Sequence, residues 1–261
     1  NMEVHHHPHT EGKKLKHYLF EFFMLCLAVF CGFLAENQRE HMVDHQREKQ
    51  YMITMLEDLK ADIPLLDSTV NEWNQVNKSI DSVTDAITPG LTNVDFKKIY
   101  RHINEALNYW TFKYNDRTIS QLKNSGGFRL IRNETVANKI ISYDQFNNNE
   151  MVNILLQHEK FYENATALRS KIFDEDIIGA IYKLYGNDPA PISIEPWIDS
   201  LMKVNKVPLS EESQSTLLFQ FKNSLLAYER DYYIGMDWGY KNIYKRISEL
   251  ITLIQKEYNL K

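Results

Sequence analysis

Residues 18–35, YLFEFFMLCLAVFCGFLA, constrain this chain more than any other stretch. One charge, Glu21, interrupts them, and from Phe22 to Ala35 the run is apolar without a break. That unbroken part covers about 21 Å as a helix at 1.5 Å per residue. A bilayer core asks for about 20 residues and tolerates about 17–25. The run meets that range only when counted from His17 or Tyr18, which puts Glu21 at an interface or against a protein partner. Lys13, Lys14 and Lys16 precede the run and no Lys or Arg lies within it. This is the pattern of a membrane anchor, and the basic flank predicts a cytoplasmic N-terminus. A cleaved signal peptide needs small residues before the cut; Ala35 supplies one, but Phe33 occupies the other place. A lipoprotein signal needs a small residue before its cysteine, where Leu25 and Phe30 stand. A buried core helix is the third alternative, against which the flanking lysines favour an anchor.

The expected division is therefore a tail (1–17), a transmembrane helix (18–35) and a domain (36–261) on the outer side of a bacterial inner membrane, in the periplasm. The domain is long enough to bury a core of its own. The chain has only 9 Gly and 7 Pro but 15 Tyr and 13 Phe, which favours helix. Its net charge of −5 argues against a nucleic-acid partner. Both cysteines, Cys26 and Cys31, lie in the span, five apart, where helical geometry points them in different directions. The domain has no thiol and no disulfide to offer.

Two features of the span bear on partners. Glu21 reads as a carboxylate at headgroup level beside Lys14 and His17, or as a partner's counter-ion or proton carrier. Ala28 and Gly32 make a small-xxx-small pair that permits close helix packing. They point to a membrane-protein partner or a homo-oligomer through this helix, within the lipid bilayer. In the tail, His5, His6, His7 and His9 are candidate ligands for a divalent metal, since imidazoles bind zinc, copper and nickel. A disordered polar tail and a docking tail are the other readings.

Beyond the span the pattern is helical throughout. Met52, Met55, Leu56, Leu59 and Ile63 form one apolar stripe, which Pro64 is expected to end or kink. The helix would thus run from the bilayer as a rod of about 65 Å. Further helices are expected over 65–87, 96–113 with an Asp95 cap, a short one from Asp116 or Thr118 to Lys123, then from about Glu134 towards Leu168, and one from Asp174 or Asp176 to Tyr185 that Gly186 closes. A loop over 187–208, with a short helix at 197–203, leads to a last long helix capped by Ser210. On that helix Ile243, Ile247, Leu250 and Ile254 step by four, three and four, as in a coiled coil. Gly235 and Gly239 would loosen its middle. The fold class is all-α, a bundle of long antiparallel helices.

No nucleotide, hydrolase, metalloprotease or dinucleotide motif is present, so a non-enzymatic chain is expected. His41 and His45, four apart, read as a solvated face before a metal pair. Ser125, Gly126, Gly127 and Arg129, with Lys123 and Arg132 nearby, are a candidate anion-binding nest; a plain turn is the alternative. Tyr228, Tyr232, Tyr233, Trp238, Tyr240 and Tyr244 could line a ligand groove or fill a core.

Three stretches carry a resemblance: KKLKHYLFEF running into AVFCGFLAENQRE, then YMITMLEDLKADI, then TISQLKNSGGFRLIRNETVANKI, with MDWGYKNIYKRISELITLIQKEY near the C-terminus. In these the chain resembles a widespread family of single-pass proteins of uncharacterised function in Bacteroidota. The resemblance implies an inner-membrane protein with a periplasmic helical domain. It assigns no activity and transfers no functional residue. The reading that follows is an accessory or scaffold subunit of a membrane complex; the alternative is a periplasmic ligand-binding or sensor domain that signals through a partner.

Overall fold

Pro64 does not end its helix. In the computed structural model, which describes residues 11–87, 94–186 and 211–260, α1 runs without interruption from Glu11 to Ile87. A proline inside a helix removes one backbone donor and costs about 3 kcal/mol. Here Pro64 and Lys60, whose carbonyl loses that donor, both lie on the exposed side, where water can solvate the carbonyl. On the inner side Leu59, Leu66, Trp73, Ile80 and Ile87 recur every seventh residue, each at most 3% exposed. Burying each such side chain stabilises by about 1.5–3 kcal/mol, so the stripe outweighs the proline. The separate helix expected over 65–87 is the continuation of α1. Ile63 is half-buried, and Asp62 takes the inward position in its place.

By its internal contacts the chain divides into residues 1–52 and 53–261. The second unit is all-α, with no strand among the described residues. α2 (Phe96–Ala106) starts at Asp95, which accepts a hydrogen bond from the Lys98 N–H at 3.0 Å. It stops well before residue 113, and the aromatics after it lie off the helix. The chain is held open there by side chains from other elements. Trp73 donates to the Trp110 carbonyl at 2.9 Å, Tyr228 to the Asn108 carbonyl at 2.8 Å, and the Asn115 N–H donates to Asp62 at 2.9 Å. Backbone groups engaged this way satisfy themselves without a helix ladder.

α3 (Arg117–Asn124) is capped from outside, since Asp58 on α1 accepts from both the N–H and the hydroxyl of Thr118. Gly126 (φ 67°) then turns the chain through a single 3₁₀ turn, Gly127–Leu130. Asn133 caps α4 (Glu134–Gln145), accepting from the Thr135 and Val136 N–H groups. α4 passes through a π-helical turn, Phe146–Glu150, into α5 (Met151–Ile172). Asp174 caps α6 (Glu175–Tyr185), which ends at Gly186 (φ 64°). The remaining described elements are α7 (Glu211–Asp231), a second π-helical turn (Tyr232–Met236) and α8 (Asp237–Tyr258).

The two long runs, 134–172 and 211–258, pack antiparallel. Lys139 pairs with Glu249, Ser142 with Arg246 and His158 with Asp231, so partner numbers fall on one run about as fast as they rise on the other. The expected stripe Ile243, Ile247, Leu250 and Ile254 is buried to within 1%. Earlier in the same run Leu218, Phe221 and Leu225 also pack inward. Gly239 tightens the seam instead of loosening it. A β-carbon there would meet the Met151 thioether, so any larger residue would have to displace that side chain from the seam between α8 and α5. Ser210, the loop 187–208 with its short helix at 197–203, and the stop at Thr88-Pro89-Gly90 lie outside the described residues.

Candidate functional site

Among the described residues, the exposed large apolar side chains concentrate in the span. Every side chain from Leu15 to Ala35 is exposed. Leu15–Ile87 is the one helix among the described residues that is long and apolar enough to cross a membrane, with a window of mean hydropathy 2.1 and none of it buried. At about 100° per residue, His17, Glu21, Ala28 and Gly32 fall in one sector of about 60°. Phe22, Phe23, Phe30 and Phe33 lie on the opposite side. Glu21 pairs with His17 one turn back, Oε1 to Nε2 at 3.1 Å. Nothing stands within 4 Å of where a β-carbon on Gly32 would be. The span therefore has a smooth, partly polar face and a bulky aromatic one. Cys26 and Cys31 are both exposed and unpaired.

The histidines of the tail, His5, His6, His7 and His9, lie outside the described residues. Among the described residues no group of three or more His, Cys, Asp or Glu is arranged to hold a metal ion. His41 is exposed. His45 leans on Glu48, Nδ1 to Oε2 at 3.3 Å, with the Glu48 side chain 2% exposed.

At the glycine turn Ser125 is engaged within the chain. The Ser125 N–H and hydroxyl both donate to the Gln121 carbonyl, which makes the turn a helix C-cap. Lys123 pairs with Asp144 at 2.6 Å. Gly127 is buried, and Arg129 points to solvent. The aromatic set divides in two. Tyr228, Tyr232 and Tyr240 are core, at most 2% exposed, while Tyr233, Trp238 and Tyr244 are on the surface. They do not line one groove.

Two polar constructions were not legible in the sequence. The first is a carboxylate seam under α1. Asp62, fully buried, accepts from the Asn115 N–H and from the Tyr143 hydroxyl at 2.9 Å each. Burial raises its pKa above the ordinary carboxylate value despite those bonds. One turn back, Asp58 binds Thr118 and the Arg117 guanidinium, the latter at 2.7 Å. Asp144 completes the seam through Tyr114, Asn148 and Lys123.

The second is His158, fully buried, whose Nδ1 lies 2.8 Å from Asp231 Oδ2. Its ring stacks on Tyr228 (4.6 Å) and Tyr109 (5.9 Å) and meets Trp73 edge-on (4.9 Å). His158 and Asp231 are 73 residues apart in sequence, and no local pattern links them. The surface also bears two open hollows. One of about 590 Å³ lies between α5 and α7, edged by Phe161, Leu168 and Phe219. One of about 370 Å³ lies between α1 and α8, beside Asp67 and Tyr244.

No family model, no curated protein and no solved structure matches the chain.

Proposed function

We propose that this chain is a non-enzymatic accessory or scaffold subunit of a protein complex in a bacterial inner membrane, with its N-terminus cytoplasmic and its helical domain periplasmic. One observation carries the reading: the span is fully exposed and two-faced, with its only carboxylate and its small residues on one side and four phenylalanines on the other. Lipid suits the phenylalanine face. A neighbouring membrane helix suits the other, because close packing at Ala28 and Gly32 and a shielded position for Glu21 both need protein beside them. The lysines before the span support the orientation. Membership of the single-pass Bacteroidota family is part of the same proposal, as is divalent-metal binding by His5, His6, His7 and His9.

The test is purification from native membranes in a mild detergent, followed by native mass spectrometry. A reproducible stoichiometric complex, with this chain or another, is the expected result. A lone monomer with nothing bound would sink the proposal. A second reading, a periplasmic ligand-binding or sensor domain acting through a partner, rests on the open hollow between α5 and α7. It predicts a small molecule retained by the purified domain, with protection from hydrogen exchange along Phe161 and Phe219.

A further inference from the structure

His158 is the only histidine among the described residues with a fully buried side chain bonded to a carboxylate. Because Asp231 accepts, Nδ1 carries the hydrogen in the neutral ring. Nε2 is then bare, and it is buried with no hydrogen-bond partner. Neutral imidazole tolerates this arrangement. Imidazolium does not, because protonation places a second N–H where no acceptor stands.

The groups around the ring come from four elements. α7 presents Asp231 and Tyr228, α1 presents Trp73, the segment after α2 presents Tyr109, and α5 itself carries Tyr162 against Tyr228 and, next in sequence, the exposed Glu159. Tyr109 is pushed up to about 12 by burial and by Glu159, and Tyr228 well above its usual value, so neither phenol is charged near neutrality. Asp231 is the one countercharge that acts on His158. It and the faces of the surrounding rings favour the cation. Desolvation works the other way and is the larger effect, so the His158 pKa is lowered from 6.5.

The setting makes the strain local. Asp231 is the last residue of α7, and the π-helical turn begins at the next residue, Tyr232, which stacks on Trp73 at 4.9 Å. π-helical turns interrupt the regular ladder and often mark functional points. We propose that the buried His158–Asp231 pair is an acid-sensitive latch: proton uptake at His158 releases the seam between α5 and α7 at the π-helical turn and exposes the aromatic box around Trp73. The sign follows from linkage. A histidine whose folded pKa is depressed contributes stability that is present above 6.5 and lost as pH falls through the folded value.

The latch is independent of the membrane assignment and is tested on the full chain in detergent micelles. Hydrogen exchange, corrected for intrinsic rate, is followed over residues 154–162 and 225–236 from about pH 7.5 to about pH 5. Opening there is expected to rise by up to about tenfold per pH unit below 6.5, while residues 243–254 stay protected. His158→Phe, which fits the box and cannot titrate, should flatten the rise. Should that variant not fold, His158→Gln serves the same purpose. Asp231→Asn keeps an acceptor for Nδ1 but removes the countercharge that favours the cation, so the rise should start from the same pH and continue to lower pH than in the wild type. A wild-type chain with no rise, or an equal rise in the folded His158 variant, overturns the latch.

Discussion

Gly239 stands so close to Met151 that a β-carbon on the glycine would overlap the methionine sulfur, with Ile154 next nearest. The contact lies within the antiparallel pair, and it sets a prediction with two opposed contributions. Gly239→Ala gains about 1 kcal/mol of helix propensity and loses about 1–3 kcal/mol to overpacking. A net loss of about 1 kcal/mol is expected from denaturation of the full chain in micelles. In a Met151→Ala background the same change should be neutral or stabilising. Equal losses in both backgrounds would mean the contact is not limiting.

Asp62 predicts a contrast between two substitutions. Its raised pKa means that this carboxyl contributes stability present below 3.8 and lost as pH rises through the folded value. At neutral pH the charge is therefore a cost, and Asp62→Asn, which can still accept from Asn115, should match or exceed wild-type stability. Asp62→Ala strands the Asn115 N–H and the Tyr143 hydroxyl and should lose about 1–3 kcal/mol. Urea midpoints at pH 7 separate the two; a destabilised Asn variant would show that the charge itself is needed.

The two faces of the span predict different sensitivities. Gly32→Leu and Ala28→Leu should dissociate whatever assembles through the small-residue face. Phe30→Leu, on the other side, should leave assembly intact. Native mass spectrometry of the three variants gives the answer, and equal behaviour would remove the case for a packing face.

For the tail, replacing His5, His6, His7 and His9 with Ala should abolish retention of zinc or nickel after dialysis, measured by elemental analysis. Unchanged retention refutes a metal role for these histidines.

Much of the helical order could be read directly from the chain. Caps such as Asp95 and Asp174, and the glycines at 126 and 186, act over three or four residues and leave local marks. The coiled-coil stripe on α8 is equally local. Pro64 misleads because its cost is local while the burial that offsets it, from Leu59 to Ile87, is spread over the far side of the helix. The segment after α2 misleads for a related reason. Its aromatics look like a helix end, yet Trp73, Tyr228 and Asp62, distant in sequence, hold it open. The same limit hides the candidate latch. His158 sits in an ordinary amphipathic helix, and only the antiparallel register delivers Asp231 to it.

That register depends on both π-helical turns, one in each long run and on either side of the Met151–Gly239 contact. Each turn holds one residue more than an α-turn would. Removing a residue from one alone would turn everything beyond it by about 100° and carry His158 or Asp231 away from its partner. Each surplus residue thus carries the phase of its own run, and descendants of this chain should keep both turns.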